Sequence, residues 1–269
     1  MGAAPATASV TIGQISPTPP SPPCSNTVVD WVQPTVATGN SYAVPAGMVG
    51  TITSWSTRTT SHVGQNWTMK VYRRLSGTTY RVVGIDVPRP LVPGFNAFEV
   101  DIPAEAGDLI GMNDNTGTTA VATGCAFAAP GNTTFFQAGN LQAGQQGSIA
   151  SPNANSHLNI SAEFEPTNTI SLGTLTRNRK KGTATLTVTL PNPGELTGSA
   201  AGVTVSAGGP TTRKPVAAGT ATLLIKATGK KKRKLKRKGR AKVKLVVTYT
   251  PTGGDPSSQT LKLKLRKRR

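Results

Sequence analysis

Two pairs of carboxylates in the first part of the sequence have a spacing that could serve acid–base chemistry. Glu99 with Asp101, and Glu163 with Glu165, would each place two carboxyl groups on one face of a β-strand, an arrangement that glycoside hydrolysis can use. Each pair also alternates with apolar residues, which is typical of the outward face of a half-buried strand. The surface interpretation is the stronger one, and we therefore expect no catalytic residues.

Other motifs for catalysis or cofactor binding are missing from the sequence. It contains no HExxH, GxSxG, GxxxxGK[ST] or GxGxxG motif. Residues 113–117, Asn-Asp-Asn-Thr-Gly, could offer oxygen ligands to Ca²⁺, but they lack the remaining acidic ligands and are better explained as a turn. The two histidines, His62 and His157, are predicted in loops or at strand edges. We expect neither a metal nor another cofactor.

Three aromatic residues of the first half offer a different chemistry. Trp55, Trp67 and Tyr72 could line a platform for carbohydrate, because aromatic rings supply large apolar contact areas. Large aromatic residues in a β-sandwich more often belong to the core. Exposed rings would indicate a carbohydrate-binding module, whereas buried rings would indicate a structural role.

A dense run of cations lies in the last part of the sequence, between positions 230 and 240. Its basic residues are Lys230, Lys231, Lys232, Arg233, Lys234, Lys236, Arg237, Lys238 and Arg240. We predict a basic loop in which Leu235 turns inward between two strands. Such a run is commonly only a solvated surface. The alternative is a site for anionic polymers, which bind to dense cations by releasing their counterions.

The charge is distributed unequally along the 269 residues, whose formal net charge is +19. Residues 1–165 contain six basic and nine acidic side chains, a net charge of −3, whereas residues 166–269 contain 24 basic and two acidic ones, a net charge of +22. This asymmetry predicts two domains, 9–165 and 166–269. No run of about 18 apolar residues occurs, so we expect no transmembrane segment.

The N-terminus and the cysteines bear on the cellular compartment. Residues 1–8 lack the charged and apolar regions of a signal peptide, yet Ala6-Thr7-Ala8 resembles the small-residue region at a cleavage site. We interpret them as the remainder of an export region, with an ordinary cytosolic N-terminus as the alternative. Cys24 and Cys125 are spaced unlike a metal site or a redox pair. A disulfide would fit an oxidising compartment, and two buried free thiols are the alternative.

The alternation of apolar and polar residues predicts an all-β protein. In the first domain about nine short strands are separated by turn signals, among them Pro130-Gly131-Asn132, which favours an antiparallel β-sandwich of jelly-roll type. In the second domain, segments such as Thr183 to Leu190 indicate six or seven strands in about a hundred residues. That is the size of an immunoglobulin-like or fibronectin-like sandwich.

Several segments also resemble known bacterial domains. Residues 42–47 (YAVPAG), 52–56 (ITSWS), 70–73 (KVYR) and 102–111 (IPAEAGDLIG) resemble secreted sandwich domains from soil actinobacteria. This resemblance implies export and a disulfide between Cys24 and Cys125, without a catalytic motif. Residues 178–188 (NRKKGTATLTV), 239–244 (GRAKVK) and 249–254 (YTPTGG) resemble a Lys-rich bacterial surface Ig-like module, which implies a structural or adhesive role.

These features predict a non-enzymatic, extracellular or cell-surface bacterial protein whose second domain binds an anionic extracellular or cell-wall polymer, or docks on its own envelope. Stacking on single-stranded nucleic acid needs aromatic residues among the cations, and Tyr249 is the one aromatic residue after Glu165. No helix-turn-helix, zinc-finger or RNP pattern occurs, so we expect no specific nucleic-acid site. Carbohydrate binding by the first domain is the alternative, and a hydrolase is a third hypothesis. No particular oligomeric state is predicted.

Overall fold

A computed structural model describes residues 8–20, 24, 28–60, 64–114, 123–207 and 215–268. They form two compact units, one from Ser9 to Glu165 and the other from Pro166 onward. Their regular structure is almost entirely β-strand, so the predicted all-β class is confirmed. No helix in these ranges is long and apolar enough to cross a membrane. His62, residues 115–117 of the considered calcium turn and residues 1–7 of the predicted export region lie outside the described residues.

The first unit contains twelve strands within its described ranges. They are β1 (Val10–Gln14), β2 (Val29–Val32), β3 (Val49–Thr59), β4 (Asn66–Ser76), β5 (Thr79–Ile85), β6 (Arg89–Pro90), β7 (Gly94–Glu105), β8 (Leu109–Asp114), β9 (Ala126–Ala138), β10 (Gln146–Ser148), β11 (Ser151–Leu158) and β12 (Ile160–Pro166).

These strands form two antiparallel sheets with the strand order of a jelly roll. The first sheet has the order β1-β12-β3-β7, and the second has the order β10-β5-β4-β8-β2-β9-β11, with β6 paired to β4. The framework strands are β1 to β5, β7, β8 and β12. Apart from β4 and β5, successive framework strands cross from one sheet to the other, which is the jelly-roll pattern. The predicted jelly-roll-like sandwich is therefore confirmed by strand order.

The core of the first unit lies between the two sheets. Ile52 and Phe164 enter it from the first sheet, and Met69 and Ile110 enter it from the second, all fully buried. Because alternate residues of a strand point to opposite faces, one apolar residue in two is enough to supply this core. The burial of apolar area holds the sheets together.

The Pro130-Gly131-Asn132 segment does not reverse the chain as predicted. It lies inside β9, at the point where the pairing with β11 is interrupted and resumes in a shifted register. Gly131 has φ of +79°, and its N–H donates to Asn155 Oδ1 at 3.1 Å. Pro130 has no backbone N–H, so its place in the unpaired part of β9 costs no hydrogen bond between the strands. The proline and the glycine are thus accommodated in a bulge of a long strand.

The second unit contains eight strands and one helix within its described ranges. They are β13 (Ser171–Asn178), β14 (Thr183–Leu190), β15 (Gly194–Ser199), β16 (Val203–Ala207), β17 (Pro215–Val216), β18 (Gly219–Ala227), α1 (Gly229–Lys238), β19 (Arg240–Pro251) and β20 (Ser257–Arg266). The short strands β16 and β17 were missing from the predicted set.

The sheets of the second unit have an immunoglobulin-like arrangement. One sheet has the order β13-β14-β18-β16, and the other has the order β17-β15-β19-β20. The first corresponds to the A-B-E-D sheet and β15-β19-β20 to the C-F-G sheet of an immunoglobulin constant domain. Leu186, Ile225, Leu245 and Val247 meet between the sheets and are fully buried. The predicted immunoglobulin-like sandwich is confirmed by the strand order of its two sheets.

The segment predicted as a basic loop is a helix instead. α1 spans Gly229–Lys238, and Gly239 ends it in the left-handed conformation, with φ of 65° and its N–H bonded to the Leu235 carbonyl. Lys, Arg and Leu have good intrinsic helix propensity, and this outweighs the repulsion between neighbouring cations. The inward orientation of Leu235 is confirmed, because its side chain is only 4% exposed and belongs to the core of the unit.

We predict that Leu235→Ala destabilises the second unit by about 2–5 kcal/mol, because it removes the buried side chain by which α1 is anchored. Leu224→Ala is the matched control, since Leu224 is 42% exposed on β18; its expected effect is below about 0.5 kcal/mol. Urea unfolding followed by hydrogen exchange in peptides from β18 and β19 measures both. Equal effects of the two substitutions would show that Leu235 is no anchor.

Candidate functional site

The three aromatic residues considered for a carbohydrate platform are buried. The exposed fraction is 1% for Trp55 and 0% for Trp67 and Tyr72. Trp55 Nε1 donates to Asp86 Oδ2 at 2.8 Å, and the Tyr72 hydroxyl donates to Asp30 Oδ1 at 2.8 Å. The structural interpretation is confirmed and the carbohydrate platform is wrong, because these rings fill apolar clusters of the first unit.

The carboxylate pairs lie on outer sheet faces. Glu99 and Asp101 are exposed on β7, and Glu163 accepts hydrogen bonds from the hydroxyls of Ser9 and Thr11 on the neighbouring chain segment. This agrees with the outward orientation expected from strand alternation. Glu99 and Asp101 thus face solvent, whereas Glu163 and Glu165 are half-buried.

His157 lies near the end of β11, at the edge of its sheet, as one of the two predicted placements had it, and its side chain is buried. Its side chain lies on β11, and its Nδ1 is 2.9 Å from Gln33 Nε2. Burial lowers the pKa of His157, so the neutral ring is favoured. Gln33 also accepts the Leu158 N–H at 2.8 Å, so this contact links β11 to the segment after β2.

The two cysteines form the predicted disulfide. The Cα atoms of Cys24 and Cys125 are 5.2 Å apart, and the bond closes a sequence separation of 101 residues. In the chain-entropy model, a loop of this length contributes up to about 4–5 kcal/mol to stability. The alternative of two free thiols is excluded, because both sulfurs are in the bond.

A buried ion pair in the second sheet of the first unit was not predicted from the sequence. Lys70 Nζ lies 2.6 Å from Asp30 Oδ1, and the side chains are 0% and 2% exposed. The ammonium also donates to Asn140 Oδ1 and the Leu141 carbonyl, each at 2.7 Å. Burial lowers the pKa of Lys70, and the charge of Asp30 opposes that shift. All three ammonium protons thus have an acceptor.

The Asp30 carboxylate accepts hydrogen bonds from three further groups. Tyr72 and Asn113 Nδ2 donate to Asp30 Oδ1 at 2.8 and 3.0 Å, and the Leu141 N–H donates to Oδ2 at 2.8 Å. Burial, and then the charge of Asp30, raise the pKa of Tyr72. This network fastens the segment after β9 onto the sheet. Sequence spacing could not reveal it, because its members come from β2, β4, β8 and a loop.

We predict that Asp30→Asn destabilises the first unit by about 3–5 kcal/mol, because the ammonium of Lys70 would stay buried without its counter-charge. Glu105→Gln is the control, since it disrupts a pair with Arg73 in which the glutamate side chain is 63% exposed; its expected effect is at most about 1 kcal/mol. Tryptophan fluorescence during urea unfolding measures this unit alone, because all three tryptophans lie in it. An effect of Asp30→Asn no larger than the control would contradict the assignment.

The basic run predicted as a polyanion site forms the surface of α1. Of its nine cations, eight lie on the helix and Arg240 begins β19. All but Lys231 are exposed. No acidic residue lies in the first turn of α1, although the positive end of a helix dipole favours one. The helix therefore concentrates positive charge at the surface of the unit.

A second set of cations lies on the strands that follow the helix. In the antiparallel register of β19 and β20, Arg240 faces Arg266, Lys242 faces Lys264, and Lys244 faces Lys262. All six side chains are exposed on the outer face. Like charges directly opposite each other destabilise a sheet. We call these three pairs the cation ladder. The alternating cations of each strand are visible in the sequence, but which cation faces which is known only from the pairing of β19 with β20.

The ladder, α1 and the turn between β13 and β14 lie at one end of the unit. The Arg268 N–H donates to the Arg179 carbonyl at 2.8 Å, and the Lys267 N–H donates to the Gly239 carbonyl at 2.9 Å. These bonds join the chain after β20 to the turn and to the end of α1. We call this end, which also carries Lys180 and Lys181, the basic pole.

The two carboxylate side chains of the second unit lie away from the basic pole. Glu195 is paired in register with Thr250, six residues beyond Lys244 along β19, which corresponds to about 20 Å. Asp255 lies in the turn that follows β19. Twenty-four cations against two acidic side chains cannot be neutralised within the unit. At physiological ionic strength the Debye length is about 8 Å, so these carboxylates are screened from the ladder.

A groove of about 660 Å³ runs over the cation ladder. Five ladder residues line it, all except Arg240, together with Arg177 from β13 and Lys231 from α1. Arg177 Nε donates to the Lys264 carbonyl at 3.1 Å, which holds its side chain beside β20. Among the described residues, the groove is lined by seven cations and no carboxylate, an arrangement that can hold an anion but offers no acid–base pair.

We predict that moderate salt stabilises the second unit. Raising NaCl from about 0.01 M to 0.1 M shortens the Debye length from about 30 Å to about 10 Å, which weakens repulsion within the basic pole. Hydrogen exchange in peptides from β19 should slow. The urea midpoint of tryptophan fluorescence should change little, because the first unit has a net charge near zero. Unchanged or faster exchange in β19 would mean that the repulsion is negligible.

The comparisons with known proteins identify no relative. No protein-family model, curated protein or solved structure matches the chain. Function is therefore inferred from the geometry and the charge of the two units.

Proposed function

We propose that the protein is a non-enzymatic, secreted or cell-surface bacterial protein whose immunoglobulin-like unit attaches it to anionic polymers of the extracellular space or the cell envelope. The observation that carries this proposal is the segregation of charge within the second unit. Cations from a turn, a helix and two strands converge on the basic pole, while Glu195 and Asp255 lie elsewhere. A polyanion would supply the negative charge that the unit itself lacks.

The expected mode of binding is electrostatic and weakly dependent on polymer sequence. Each cation that neutralises a charge of the polymer releases condensed counterions, so affinity falls steeply as salt rises. At low salt the Debye length is longer, so the dense cations of the basic pole attract such polymers from a greater distance. A long, repetitive polymer suits this surface, because many equivalent positions along it can be engaged.

Export is supported by the disulfide between Cys24 and Cys125, since disulfides persist mainly in oxidising compartments. Outside the cell, wall polymers, anionic polysaccharides and extracellular DNA are the anionic polymers within reach. The first unit contributes a stable sandwich with a net charge near zero, which fits a displayed or spacing role rather than attachment.

We predict that the full chain is retained on heparin and on an anionic cell-wall preparation at low salt and elutes as salt rises. Lys230→Gln/Lys234→Gln should lower the slope of log affinity against log salt by about one for each lost contact. Arg74→Gln/Arg81→Gln is the matched control, because it removes two exposed cations from the first unit and should leave the slope unchanged.

The proposal is wrong if the full chain passes through both matrices at low salt. It is also wrong if retention does not depend on salt, or if the control variant weakens retention as much as the helix variant does.

A further inference from the structure

The cation ladder has a spacing that selects among anionic polymers. Successive rungs are two residues apart on both strands, which corresponds to about 6.8 Å. Two residues of a strand comprise six backbone bonds. A phosphodiester polymer with three carbons between successive phosphates also has six backbone bonds per repeat, so its extended repeat is about 7 Å by the same bond geometry. Its phosphates can therefore stay in step with the rungs.

Each rung can hold one phosphate between two cations. Residues opposite each other in an antiparallel pair have Cα atoms about 4.5–5.5 Å apart, so two long basic side chains can reach the same anion from either side. Without an anion, the paired cations repel each other. Arg177 and Lys231 flank the same groove and add donors beside the ladder. Binding would replace three repulsive pairs with bridged phosphates.

The groove offers no aromatic ring on which a base could stack. Aromatic platforms are the usual means of holding unstacked bases, and the one aromatic residue of the second unit, Tyr249, is fully buried with its hydroxyl bonded to the Asn192 carbonyl. A carboxylated polysaccharide with one acid group for two sugar rings spaces its charges more widely than the rungs. Both comparisons favour a phosphodiester polymer with small polyol repeats.

We infer that the cation ladder is a binding site for an extended, base-free phosphodiester polymer, with one phosphate at each rung. This inference rests on the proposed polyanion-binding function and names its site and ligand class. The helix α1 would then contribute general attraction, while the ladder would contribute the preference for phosphate spacing.

The test compares two double variants of the full chain by isothermal titration with poly(glycerol phosphate) at physiological salt. Lys242→Gln/Lys264→Gln removes the middle rung, and Lys230→Gln/Lys234→Gln removes two cations from the exposed surface of α1. We expect the ladder variant to lose at least about threefold more affinity than the helix variant, because both cations of a rung contact the same phosphate. Lys242→Arg/Lys264→Arg should retain affinity close to the wild type.

Two further probes, matched to poly(glycerol phosphate) in number of charges, test the ligand class. Hyaluronan should bind more weakly because of its wider charge spacing, and single-stranded DNA should bind no more tightly because no stacking is available. Unchanged hydrogen exchange in the core strand β18 confirms that each variant is folded.

The outcomes separate the inference from the proposed function. Equal losses in the ladder and helix variants would overturn the ladder site while leaving polyanion binding intact. Equal or tighter binding of hyaluronan, or tighter binding of single-stranded DNA, would overturn the ligand class. Failure of the wild type to bind any of the three polymers, at low as well as at physiological salt, would overturn the proposed function itself.

Discussion

Repulsion among the cations of the basic pole destabilises the second unit, and the rest of its structure must offset this cost. The alternation of side chains along a strand reduces this repulsion, because it keeps the cations in water. Val243, Leu245 and Leu263 of β19 and β20 point inward, while every intervening cation faces solvent. The same geometry aligns the cations in opposed pairs instead of dispersing them. The apolar core must therefore outweigh an electrostatic cost that a bound anion would remove, so an anion held at the basic pole would also stabilise this unit.

The two units treat charge in opposite ways. In the first unit, Lys70 and Asp30 are taken out of water together, and every donor of the ammonium is satisfied, which makes the pair an internal fastening for a loop. In the second unit, cations accumulate at the surface while Glu195 and Asp255 lie elsewhere. The buried ion pair suits a rigid structural sandwich. The surface cations leave a positive charge that an anionic partner could neutralise.

Alternating residues were sufficient to predict both sandwiches, because the period of two is a local signal, as in Thr183–Leu190. The loop prediction for residues 230–240 was wrong, because the helix propensity of Lys and Arg and the burial of Leu235 favour a helix there. The ladder and the Asp30–Lys70 pair depend on strand register and on sheet order. These are long-range properties, so no spacing along the chain could reveal them.

Phosphate binding at the cation ladder can be measured by lysine acetylation followed by mass spectrometry, with and without poly(glycerol phosphate). We expect the polymer to protect Lys242, Lys244, Lys262 and Lys264 more strongly than the exposed helix lysines, and high salt to remove this protection. Uniform protection of all exposed lysines of the second unit would mean that the polymer binds to the charged surface as a whole and not at the cation ladder. No protection at low salt would contradict polyanion binding altogether.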